Sequence, residues 1–247
     1  MVAVHKSYWM PEDPVYLPVQ VGAAGKYSLG YQRDDEGENI SEKNPYYCEL
    51  TGLYWAWKNL QADYLGLVHY RRYFSKGLTG DKKQRILNQE DIEKKLQNTD
   101  IVLPKPRHYW IETNYTQYVH AHHAEDIDLT RKIIQEKYPE YIPAFDQCMN
   151  KRSGHRFNMF VMKKDILNEY CSWLFDILFE LEKQLNISAY NKNDQRVFGF
   201  VGERLMDVWL ETKQLKYIDC SYVFLENQNW LVKGSRFIWR KLGHKQA

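Results

Sequence analysis

The stretch 50–68 constrains the fold of this chain most. Leu50, Leu53, Tyr54, Trp57 and Leu60 recur at helical spacing and form a stripe that must lie against an apolar surface. Three residues later comes YLGLV, an apolar, strand-like run at 64–68. A striped helix that feeds straight into a buried strand is the repeating unit of a layered α/β fold. The unit recurs: NQEDIEKKLQN at 88–98 reads as a helix that passes into the strand DIVLP, stopped by Pro104. FNMFVMKKD at 157–165 reads as a strand before the longest helix, in which Tyr170, Trp173, Leu174, Ile177, Leu178, Leu181 and Leu185 make a continuous apolar face. MVAVHKSY and YLPVQVGAAG add short extended segments near the start. RVFGFVG reads as a glycine-punctuated strand or loop leading into the helix ERLMDVWLE, and YIDCSYVFLE as a late strand. Asn44 and Pro45 read as the cap and first residue of the helix that carries the opening stripe. The pattern predicts an α/β fold, a mixed central sheet with helices on both faces, in one domain over 1–228.

A chain of 247 residues can bury the core of one such domain. Its 34 basic and 32 acidic side chains nearly cancel, so anion binding must come from local clustering, and a nucleic-acid partner is not expected. Aromatic residues, 15% of the chain, suit core packing and sugar stacking alike. Cys48, Cys148, Cys171 and Cys220 are scattered without a CxxC pair, and the apolar run in MVAVHKSYWM is too short for a signal peptide. A cytoplasmic protein with reduced thiols is expected. The segment 229–247 interleaves Trp230, Phe237, Ile238 and Trp239 with Lys233, Arg236, Arg240 and Lys241. Two readings stand for it: peripheral contact with an anionic membrane face, or a docking helix with a basic outer side.

The strand at 64–68 ends in His69, Tyr70, Arg71 and Arg72. Carboxyl ends of strands in open α/β sheets face the ligand crevice, so this cluster reads as a binding site for an anionic group. Arginines paired with carboxylates at a solvated strand end would give the same sequence. His122 and His123 are adjacent and do not both reach one ion from regular structure, so no metal site is expected at 120–123. His120, near Tyr118, reads either as a contact to a sugar or acceptor or as a hydrogen-bonded structural histidine. Asp34 and Asp35 lie in the polar loop QRDDEGENISEKN and are expected to be solvated.

The runs NISEKNPYYCELTGLYWAWKN and DYLGLVHYRRYF, followed by NMFVMKK, the SWLF helix and GFVGERL, cover most of the chain in one order. They resemble a family of bacterial proteins first catalogued as a domain of unknown function, whose members sit in capsular and exopolysaccharide gene clusters and are regarded as glycosyltransferases. The resemblance implies a GT-A-like (Rossmann-like) fold. It also implies transfer of a sugar from a UDP-sugar, a UDP-hexose with UDP-galactofuranose one candidate, to a polysaccharide or lipid-linked oligosaccharide at the inner face of the membrane. Most GT-A enzymes hold a metal with D-x-D at the end of a central strand, and here HYRR stands in that place. The implied site therefore has Arg71 and Arg72 on the diphosphate, His69 as a further donor, and no metal or other cofactor. Nucleotide contacts are implied at Val4, Lys6, Gly22, Ala23, Asn39, Ser41 and Lys43. GFVGERL resembles the Gly-rich, acid-bearing turn that supplies a base in inverting relatives, which points to Glu203, with Arg204 beside it on the acceptor side together with His120 and Tyr118. Asp194 is the alternative carboxylate. A non-catalytic carbohydrate- or polyanion-binding protein using the same cluster is the competing class.

Overall fold

A computed structural model of the chain describes residues 1–226, so the segment 229–247 lies outside the described residues. Strands β1 (Val2–Val4), β2 (Pro18–Gln20) and β3 (Gln32–Arg33) are neighbours in parallel. The chain then forms the short helix α1 (Asn44–Tyr47) and α2 (Leu50–Asn59), and returns through β4 (Tyr64–His69), parallel to β1 on its other side. β5 (Arg72–Phe74) folds back antiparallel to β4, and α3 (Gln89–Leu96) leads into β6 (Ile101–Pro104). β7 (Arg107–His108) and β8 (Ser153–Gly154) make a separate ribbon on either side of α4 (Asn114–Ala121), α5 (Ala124–Lys137) and α6 (Ile142–Asn150). β9 (Phe160–Lys163) inserts antiparallel between β4 and β6. After α7 (Lys164–Gln184) and α8 (Val197–Lys213), β10 (Ile218–Cys220) lies parallel to β6 and β11 (Tyr222–Phe224) antiparallel to β5. The main sheet runs β10-β6-β9-β4-β1-β2-β3, a mixed α/β sheet as the sequence pattern predicts.

Period-two alternation sorts the strand residues between two cores. Ala3, Leu65, Leu67, Ile101, Leu103, Phe160 and Met162 pack with the apolar faces of α2, α5, α6, α7 and α8. Val2, Val4, Val68, Val102, Val161 and Cys220 point into a smaller core with Tyr16, Tyr73, Phe74 and Ile86, where Ile92 and Leu96 of α3 pack at the edge. The helical layers are thus unequal. Among the described residues α3 is the helix that flanks the second face, and loops cover the rest of it.

Two sequence expectations are corrected here. The helix expected from Asn44 is broken: Cys48 takes φ +53°, and Asn44 caps nothing but donates from Nδ2 to Cys48 O and Thr51 Oγ1, stapling the corner between α1 and α2. RVFGFVG is not a strand or loop, because α8 already begins at Val197 and Gly199 and Gly202 lie inside it. Their role is close approach. A Cβ at Gly199 would stand 3.1 Å from Cys48 Sγ and 3.3 Å from Tyr47 O, and one at Gly202 2.8 Å from Leu50 Cδ1.

Candidate functional site

HYRR forms a turn rather than a free strand end. β4 stops at His69, the chain turns at Tyr70 and Arg71, and β5 starts back at Arg72, paired with His69. The turn stands beyond the carboxyl ends of β1, β2 and β4, where a cavity of about 430 Å³ opens. Its wall includes His5, Glu49, His69, Arg71, Arg72 and Arg196.

Arg72 is placed by aromatic rings. Its guanidinium carbon lies 3.7 Å from the Phe157 ring centroid and 4.5 Å from that of Phe224, and its buried Nε has no hydrogen-bond partner among the described residues. Burial pulls its pKa down to about 10, opposed by the charges of Glu203 and Glu49, so it stays a cation with donors to spare. Arg71 is half exposed and pairs with Glu226 at 2.9 Å, and Lys6 approaches the other oxygen of that carboxylate at 4.0 Å. One carboxylate therefore sits between the two rim cations.

His69 lines the cavity but not in the role expected of it. Its Nε2 is 2.6 Å from the carbonyl oxygen of Phe157, and a carbonyl only accepts, so Nε2 carries the hydrogen and spends it there. Burial, with Arg72 adding to it, pushes the pKa down to about 3. The ring is neutral, with only the Nδ1 lone pair left. It is therefore not a donor to phosphate.

Glu203 is the largest opposing charge on Arg72, yet its setting is not the expected turn. It lies in the interior of α8 rather than in a turn that opens a helix, 3.8 Å from Arg204 Nη1. Asp194 is buried with both oxygens taken, Oδ1 by His122 at 2.9 Å and Oδ2 by Asn191 at 2.7 Å, with His123 at 3.4 Å. It ties the 190s to the end of α4 and has no oxygen left for an acceptor. Tyr118 is fully buried and donates to Asp126 at 2.8 Å, which removes it from any sugar surface. His120 is exposed and bonded to Glu112 at 2.6 Å. Arg204 is buried, bonded through Nη2 to Gln117 at 2.6 Å, with Nε unpartnered and the pKa drawn down to about 10 by burial and Arg156.

The implied nucleotide residues disperse. Val4 is buried in the smaller core. Gly22 and Ala23 donate their amides to Asp34 at 2.8 and 2.9 Å, and Ser41 Oγ and Thr51 Oγ1 donate to the same carboxylate at 2.5 and 2.7 Å. Asp34 is thus a fully buried hub, not a solvated loop acid, while Asp35 forks onto Arg33. Asn39 closes a local turn by accepting from the amide of Ser41, and Lys43 pairs with Glu182 of α7 at 2.6 Å. Of this set only Lys6 stands at the cavity rim, beside Arg71 through their shared Glu226. Among the described residues no three His, Cys, Asp or Glu side chains are grouped to hold a metal ion, and no helix is long and apolar enough to cross a membrane.

Sequence reasoning missed Glu49, Arg196, Phe157 and Phe224, all beside the arginines. Glu49 had a signal, an acid immediately before an apolar-striped helix in CELTGLYW. Phe224 had none, since only the pairing of β11 with β5 brings it over Arg72.

Residues 1–214 match the model of a family described as a domain of unknown function, DUF4422. This chain belongs to the DUF4422 family. No curated protein matches it. Among solved structures, the DUF4422 chain is similar to the apo structure of the bifunctional glycosyltransferase WbbM, with 33% identity over 92% of this chain and a TM-score of 0.84. The chain spans 45% of the WbbM chain, less than half of that larger protein.

Proposed function

We propose that this DUF4422 protein is a glycosyltransferase of GT-A-like fold. In this reading it moves a hexose, UDP-galactofuranose being one candidate donor, from a UDP-sugar to a polysaccharide or lipid-linked oligosaccharide, and it needs no metal at the diphosphate. The observation that carries the reading is Arg72: a stacked, desolvated cation with a free Nε, next to Arg71, at the carboxyl edge of the parallel strands. Arginine donors fit paired phosphate oxygens in a way carboxylates do not. The likeness to WbbM, a bifunctional glycosyltransferase by name, supports the reaction class.

In the reaction the bond from the anomeric carbon to the diphosphate oxygen breaks, and the electron pair leaves on UDP. Arg71 and Arg72 take up that developing charge where the metal acts in D-x-D relatives. The acceptor hydroxyl attacks from the opposite face and must lose its proton to a carboxylate beside the arginines. Lys6 and Arg71 stand at the mouth where the nucleotide would enter, and a cytoplasmic site beside the membrane is the setting such acceptors require. The test is UDP release from a panel of UDP-hexoses with and without capsular oligosaccharide. Acceptor-dependent release that falls at least tenfold in Arg72→Ala is expected; glycan binding with no release from any donor would favour a non-catalytic carbohydrate-binding protein.

A further inference from the structure

The strongest backbone strain at the site is a pair of adjacent non-glycine residues, Phe157 at φ +80° and Asn158 at φ +53°. Such residues persist only where their surroundings hold them. What the strained pair holds is informative. The Phe157 ring lies on Arg72, the Phe157 carbonyl takes the Nε2 hydrogen of His69, and Asn158 Nδ2 donates to Glu49 Oε1 at 2.7 Å. One dipeptide thus aims three side chains, and all three line the same cavity. Arg72 already has a role in binding an anion and His69 is neutral. Glu49 is the one left without a purpose.

The local backbone is shaped to put Glu49 there. Cys48, at φ +53°, breaks α1 from α2, so Glu49 turns into the cavity at the start of α2. Gly199 and Gly202 let α8 close on this corner, one against Tyr47 and Cys48, the other against Leu50. Asn158 Nδ2, donating to Oε1, and the residue's own backbone amide fix the Glu49 carboxylate at the cavity wall. We propose that Glu49, and not Glu203, is the carboxylate that takes the acceptor hydroxyl's proton. The assignment rests on the glycosyltransferase reading above.

The step balances. The O–H proton passes to the Glu49 carboxylate, the acceptor oxygen bonds the anomeric carbon, the bond to the diphosphate breaks, and the electron pair leaves with UDP against Arg71 and Arg72. Glu49 then returns its proton to water. Burial raises the proton affinity of Glu49 above that of an ordinary glutamate, which suits a base. The rivals lack the geometry: Glu203 does not border the cavity and lies beside Arg204, and Asp194 has both oxygens bound.

The experiment compares Glu49→Gln, Glu49→Asp and Glu203→Gln with the unaltered chain. UDP binding is read by calorimetry, and turnover with the UDP-hexose that the unaltered chain accepts. Glu49→Gln is expected to lower kcat by roughly 10²–10⁴-fold, the range for loss of a general base, while UDP affinity and donor KM change by less than about threefold. Glu49→Asp is expected to regain part of the rate, and Glu203→Gln to stay within about tenfold. Near-normal turnover in Glu49→Gln, or loss of UDP binding together with turnover in both Glu49 variants, would overturn the assignment and leave Glu49 a structural acid. Failure of the unaltered chain to bind UDP would remove the underlying reading and this assignment with it.

Discussion

At the scale of single residues the site is built by dividing charges between spent and unspent. Arg33 has Asp35 and Arg131 has Asp146, Arg71 shares the exposed Glu226 with Lys6, and Arg72 has two rings and, among the described residues, an Nε without a hydrogen-bond partner. A second buried cation outside the cavity shows the same logic with the opposite outcome. His155 is held by Asp207 at 2.5 Å through Nδ1 and by Asp219 at 3.0 Å through Nε2. Burial favours its neutral form, but the two carboxylates outweigh burial and raise the pKa above the ordinary histidine value. A raised folded-state pKa gives stability that is fully present below the unfolded value of about 6.5 and is lost as pH rises through the folded one. Urea unfolding should therefore show the stability gap between the unaltered chain and His155→Gln widest near pH 6 and narrower at pH 8.5; a gap that is constant or grows with pH would contradict this. HYRR was legible in the sequence as a cluster of cations at a strand end because two adjacent arginines straight after an apolar strand add nothing to core packing. The neutral state of His69 was not, because it comes from burial in the folded chain and from Arg72, while its Nε2 hydrogen is spent on a carbonyl 88 residues away.

At the scale of elements the decisive contact is α8 on the corner between α1 and α2. It sets where Glu49 points, and it exists because Gly199 presents no side chain to Cys48 and Tyr47. Gly199→Leu should cost about 1–3 kcal/mol of stability through overpacking against a backbone carbonyl. Gly202→Ala should be close to neutral, since a gain of roughly 1 kcal/mol in helix propensity offsets displacement of the flexible Leu50 methyl. Chemical denaturation checks both, and equal costs at the two glycines would contradict this account of the contact. The strands were readable from apolar runs, and α7 from its stripe. The start of α8 was not, because two glycines in six residues imitate a loop when the surface they pack against is unseen. The break at Cys48 was hidden for a similar reason: its positive φ is held by the Asn44 side chain and by α8, and nothing in NPYYCEL requires it.

At the scale of the molecule a nearly neutral chain gathers its cations at one mouth. Lys6, the adjacent Arg71 and Arg72, and Arg196 come from three places in the sequence and meet where the parallel strands end. The sheet order brings this about: β1 lies between β2 and β4, β5 turns back from β4, and β11 closes on β5 with Phe224 over Arg72. Composition carried no sign of this, since the summed charge is +2. The central claim is that arginines hold the donor's diphosphate without a metal. Calorimetric titration of UDP into the purified chain, in EDTA and again with Mn²⁺, beside the Arg71→Ala, Arg72→Ala double variant, tests it most directly. Loss of charge-assisted hydrogen bonds worth about 1.5–3 kcal/mol each should weaken the double variant by well over tenfold. Binding that survives EDTA and collapses in that variant is the predicted result; binding that appears only with Mn²⁺, or is indifferent to loss of both arginines, would contradict it.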